Sequence, residues 1–178
     1  MSISSSGTTR GKVTAWALWD WASAAFNAVV TTFVFSVYIV NSDFFGPDAN
    51  TNFGYTMTAA GIIVAIIAPV MGQSVDRSGK RRSLITLTTT ITILATAGLA
   101  LVRPEESYLW LGLLLLAIGN IAFDTGSVVY NAMLTDISTP QNRGKISGIG
   151  WGLGYVGGIV LMLILYLGII GPKSAGSG

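Results

Sequence analysis

Residues 72–82 read Gly72-Gln73-Ser74-Val75-Asp76-Arg77-Ser78-Gly79-Lys80-Arg81-Arg82, and long apolar runs lie on both sides. Four basic side chains in so short a link are costly to place in hydrocarbon. The runs at about 53–75 and 83–102 must therefore end here. Each has the roughly 20 helical residues needed to cross a core of about 30 Å. Working outward, three more runs of that length appear, at about 14–40, 107–134 and 146–170. Gly46-Pro47-Asp48, Arg103-Pro104-Glu105 and the stretch from Thr139-Pro140 to Lys145 break the chain between them. Short links of this kind give antiparallel neighbours in a bundle. The sequence thus predicts an all-α polytopic membrane bundle of five spans over 13–170, with a polar tail at 1–12 and an external tail at 171–178.

The basic residues orient the bundle. Arg10 and Lys12 precede the first run; Arg77, Lys80, Arg81 and Arg82 join the second to the third; Arg143 and Lys145 join the fourth to the fifth. All fall on one side, and only Arg103 and Lys173 fall on the other, beside Asp43, Asp48, Glu105 and Glu106. The positive-inside rule places the N-terminus in the cytoplasm. The first apolar run is far longer than the 7–15 residues or so of a signal-peptide core, so it is read as an uncleaved first span.

Composition agrees. Of the 178 residues, 51% are hydrophobic and only 10% charged. A soluble domain carries about 25% charged residues, so the expected solvent is lipid. The chain has no cysteine and no histidine. Disulfides, thiolate chemistry and the commonest metal ligands are excluded, and proton chemistry falls to carboxylates. No metal, cofactor or nucleic acid is expected.

Two polar stripes interrupt the apolar runs. In the first run, Asp20, Ser23, Asn27 and Thr31 share one helical face at about 100° per residue. In the fourth, Asp124, Ser127, Asn131 and Thr135 repeat that spacing. At 1.5 Å per residue the two acids lie roughly 9 and 15 Å from the cytoplasmic helix ends. Aspartate is too short to reach water from there. Each acid must face the bundle, find partners or be protonated. One reading is a carboxylate that holds two helices together. The other is a hydrated route for a small polar or zwitterionic solute, with protons as a coupling ion. Inverted symmetry would place Asp124 near the outer face, yet both acids lean toward the cytoplasm. The matched spacing is therefore read as convergence on a shared cavity and not as duplication.

Small residues mark the expected helix contacts. Gly61, Ala65, Ala68 and Gly72 form a stripe on the second run, and Gly150, Gly154, Gly157 and Gly158 share a face of the fifth. Such stripes let backbones approach closely in lipid. The threonines of the third run (Thr86, Thr88, Thr89, Thr90, Thr92 and Thr96) are expected to bond to carbonyls of their own helix. Trp16, Trp19, Trp21, Trp110 and Trp151 fit an interfacial aromatic belt.

The link at 72–82 resembles the signature loop of the major facilitator superfamily: Gly72, Asp76-Arg77, Gly79 and the basic run of Lys80, Arg81 and Arg82. Ser74 departs from the family's apolar residue at its position. Within that superfamily, Trp16-Ala17-Leu18-Trp19-Asp20-Trp21-Ala22, Tyr130-Asn131-Ala132-Met133-Leu134 and Arg143-Gly144-Lys145-Ile146-Ser147-Gly148 are similar to the vacuolar amino-acid effluxer branch, which includes autophagy-related transporters. The resemblance runs from about 12 to 170. It implies an alternating-access transporter of amino acids or similar small solutes, with Gly72, Asp76, Arg77, Gly79 and Arg81 as a conformational gate loop. The family has twelve helices in two halves. Five spans here imply an N-terminal half, whose missing C-terminal half, or another chain, would supply the partner of Asp76. Gly154-Tyr155 stands where the superfamily's antiporter signature has Gly-Pro, so antiport is not implied.

The expected function is therefore non-enzymatic: a fragment of a secondary transporter in a bacterial cytoplasmic membrane, working on amino-acid efflux. The alternatives are a small membrane scaffold or subunit, and an intramembrane aspartyl protease. Those proteases carry Gly-x-Gly-Asp, whereas Ile121 and Phe123 occupy the glycine positions before Asp124.

Overall fold

A computed structural model describes residues 6–170, with side chains at all of these but 6–10, 25, 75, 76, 78, 169 and 170. Residues 1–5 and the expected external tail at 171–178, Lys173 included, lie outside the described residues. Every element among the described residues is helical: α1 (Ser6–Ala25), α2 (Phe35–Ile39), α3 (Ser42–Phe45), α4 (Ala49–Ser78), α5 (Arg81–Leu99), α6 (Leu109–Ile137) and α7 (Arg143–Leu165). A π-helix, Phe26–Phe33, follows α1, and another, Tyr166–Ile170, follows α7. Five stretches are long and apolar enough to cross a membrane: Gly11–Ile39, Ala49–Ser74, Arg81–Leu99, Glu106–Ile137 and Arg143–Gly168. The protein is an all-α polytopic membrane bundle.

The chain divides into two compact units, residues 1–32 with 137–178, and residues 33–136. In the first unit α1 packs on α7. α1 begins at Ser6, so much of the polar tail expected at 1–12 is helical. No proline stops it there, and Arg and Lys are good helix formers. The first span is also not a uniform α-helix. Val29, Val30, Thr31 and Thr32 are four consecutive β-branched residues. In an α-helix they crowd the preceding turn, and the wider i→i+5 ladder relieves them.

The second unit is built on α6. Leu109, Leu113, Leu116, Ala122 and Val129 are buried along its length at helical spacing. Of the five spans the fourth is the most buried within the described residues and the second the least, which sets α6 in the core of this unit and α4 at its periphery. Ile62, Ile66 and Val70 of α4 are exposed, an apolar surface of the kind that meets lipid or another protein segment. α5 meets α6 where Leu115 Cδ1 lies 3.1 Å from the Cβ position of Gly98. Ile39 of α2 is fully buried, its Cδ1 2.6 Å from the Cβ position of Gly112. Tyr38 Oη donates to the Val102 carbonyl at 3.3 Å, and the Tyr38 ring sits edge-on to Phe45 at 5.1 Å.

Four of the six threonines of α5 bond as expected. Thr88, Thr90, Thr92 and Thr96 donate to the carbonyls of Leu84, Thr86, Thr88 and Thr92 at 2.7–3.0 Å. Their hydroxyls are consumed within the helix, so α5 can sit in lipid. Trp110 and Trp151 are exposed, as a belt requires, whereas Trp16 is buried and belongs to the packing instead.

Candidate functional site

Asp20 is a half-buried acid on α1, in the first unit. Its Oδ2 lies 2.7 Å from where a Cβ on Gly154 would stand, and its Cγ lies 3.3 Å away. The carboxylate therefore rests on the bare backbone of α7. One turn further on, the Trp21 ring and backbone carbonyl crowd Gly157, and Ala28 touches Gly158. The pairing order rises along both helices, so α1 and α7 run parallel. The first and fifth spans of one antiparallel series must do so. Gly150, Gly154, Gly157 and Gly158 are buried, whereas a Cβ at Gly148 or Gly152 would meet no described atom within 4 Å. The same holds at Gly61 and Gly72 of α4, so neither glycine seats a described neighbour.

The rest of the first stripe is arranged locally. Ser23 Oγ donates to the Asp20 backbone carbonyl at 3.1 Å, not to its carboxylate. Asn27 stands inside the π-helix and accepts from Thr32 Oγ1 at 3.3 Å. That spacing of five is the π register. A uniform 100° wheel would have placed Thr31 on this face, and the wider ladder turns Thr32 toward Asn27 instead.

Asp124 is half-buried on α6, in the second unit. Asn120, one turn earlier, donates from Nδ2 to Asp124 Oδ2 at 3.2 Å. Ser127 Oγ donates to the Phe123 carbonyl at 3.1 Å, and Asn131 is exposed. The sequence reading missed Asn120. Extending the stripe one turn toward the N-terminus would have found it, since i and i+4 share a helical face.

The basic link has defined geometry. Gly79 has a φ of 63°, the left-handed conformation that glycine adopts without strain just past a helix end. Arg77 lies in the last turn of α4, where a cation complements the helix dipole. Arg81, at the start of α5, donates to the Ala132 carbonyl at 3.3 Å and pairs with the Asp136 carboxylate on α6. A cation in the first turn of a helix opposes the dipole, and Asp136 offsets it. Asp136 is 56% exposed, which limits an ordinary pair of this kind to about 0–1 kcal/mol. Its service is to tie α5 to α6 on the basic side. The Asp76 side chain lies outside the described residues.

These features define an integral membrane helix bundle that holds carboxylates within its spans and a basic turn at one face. The chain belongs to the Major Facilitator Superfamily, whose family model matches residues 4–162. It is similar to an uncharacterized MFS-type transporter, YxiO, of Bacillus subtilis (strain 168), with 31% identity over 153 residues. That match covers 84% of this chain and 35% of the relative, so the chain spans little more than a third of the relative's length. No solved structure matches. Members of this superfamily are transporters, not enzymes.

Proposed function

We propose that this chain is part of a secondary transporter that moves small polar solutes by alternating access. The specific activity is amino-acid efflux across a bacterial cytoplasmic membrane, with the N-terminus inside. Asp20, Ser23 and Asn27 on the first span, and Asp124, Ser127 and Asn131 on the fourth, contribute to the solute or proton pathway. Gly72, Asp76, Arg77, Gly79 and Arg81 form the gate loop. The observation that carries this reading is Asp124, a half-buried carboxylate within a membrane span that holds an amide donor from Asn120. An acid at such depth is expensive, and expense of this kind marks ion and substrate routes. A carboxylate also complements the ammonium group of an amino acid. The resemblance to the vacuolar effluxer branch supplies the solute class.

The test is efflux from membrane vesicles of cells expressing the complete open reading frame that carries this chain. Vesicles loaded with a labelled amino-acid mixture are expected to lose at least one component faster than vesicles without the protein. Equal loss of every amino acid, with the protein present in the membrane, would remove the solute assignment. A protonophore is expected to slow the flux, and an unaltered rate would remove protons as the coupling ion.

A further inference from the structure

We propose that Gly154 is a positioning residue for the Asp20 carboxylate. This rests on the reading of Asp20 as a pathway acid. The glycines of α7 do not have the same neighbours. Gly148 and Gly152 look onto open space, Gly157 faces an indole ring and Gly158 a methyl group. Gly154 faces an acidic group: Oδ2 of Asp20 at 2.7 Å and Cγ at 3.3 Å from its Cβ position, with the Asp20 backbone carbonyl at 3.7 Å. A real Cβ cannot stand 2.7 Å from a carboxylate oxygen. Any side chain at 154 must displace the carboxylate or part the helices.

The displacement has few outlets. Aspartate has two side-chain torsions, and helical backbone restricts the first to a small set of rotamers. α1 also approaches α7 closely on the next turn, where the Trp21 backbone carbonyl is 2.6 Å from the Gly157 Cβ position. The helices cannot part at 154 without loosening 157. The carboxylate is the part that moves. Glycine at 154 thereby decides where along the α1–α7 crossing the Asp20 carboxyl group stands, although it has no side chain with which to touch a solute. A stripe chosen only for close packing would need a small residue at 154. The observed geometry needs no side chain at all.

Carbodiimide labelling of membrane carboxylates tests this without requiring transport. In the complete open reading frame, Gly154→Ala is expected to raise the labelling of Asp20 relative to Asp124 several-fold, read by mass spectrometry. Gly152→Ala is expected to leave the ratio unchanged. An unchanged ratio in Gly154→Ala would overturn the proposal. Should Gly154→Ala fail to accumulate, truncation of its neighbour decides. Asp20→Ala is expected to restore the membrane level of Gly154→Ala, because the clash is gone. Equal loss from Gly154→Ala in both backgrounds would show that it acts on the fold at large. Labelling and restoration as expected, in a protein that moves no solute, would keep the seat and remove the transport reading.

Discussion

Asp20→Asn and Asp124→Asn are each expected to cut solute flux to the background of vesicles lacking the protein, with membrane levels unchanged. The substitution preserves size, so the amide at position 20 still rests on Gly154. At position 124 the new amide oxygen can still accept from Asn120. What disappears is the charge. An ionised aspartate at a helix centre costs about 2.5–3.5 kcal/mol on insertion, and the neutral amide, though still polar, carries no charge to desolvate. The variants should therefore insert at least as well as the parent. A loss of flux then reports on the pathway and not on folding. Normal flux from both variants would reduce the two acids to struts of the bundle.

Gly157→Ala and Gly158→Ala are expected to differ sharply although the residues are adjacent. A Cβ at 157 would lie 2.6 Å from the Trp21 carbonyl oxygen and 2.6 Å from Cδ1 of its ring. The ring can rotate, but the carbonyl belongs to the backbone of α1. Overpacking of this sort costs about 1–3 kcal/mol, occasionally more. At 158 the nearest atom is Ala28 Cβ at 3.6 Å, an ordinary contact. There alanine is expected to be neutral or stabilising, because glycine disfavours helix by up to about 1 kcal/mol in water. Thermal unfolding in detergent reads both variants. Equal shifts would show that α1 and α7 do not pack as described.

The architecture was legible because membrane spans are written in composition. Apolar runs of sufficient length, broken by Gly-Pro-Asp and by a basic link, leave few alternatives to a helical bundle. Thr88, Thr90, Thr92 and Thr96 of α5 were legible for a local reason, since their partners lie three or four residues away on the same helix. Tertiary pairing was not. The sequence displays a glycine face on the fifth run and an acid on the first, but nothing in either says that Asp20 meets Gly154. A helical wheel shows a face without showing what opposes it. The wheel itself failed at Thr31, because it assumes one rotation per residue and the backbone widens at Phe26–Phe33. Gly61 and Gly72 have the right spacing for a contact, yet a Cβ at either would meet no described atom within 4 Å. Spacing permits approach without requiring it.

The hydrogen bond from Asn120 to Asp124 joins two residues of one helix. It therefore exists as soon as α6 is helical, before any other span has docked. During biogenesis Asp124 is therefore expected to enter the lipid already escorted by its donor. Among the described residues no side chain of the same helix donates to the Asp20 carboxylate, whose seat is on α7, the last of these five spans to be synthesised. The two acids thus meet the translocation machinery on unequal terms. Asn120→Leu is expected to lower membrane integration of the isolated fourth span, measured by glycosylation mapping. Integration at the parental level would show that the amide contributes nothing at that stage. Gly154→Ala has no counterpart in such an assay on the first span, because the partner has not yet been made.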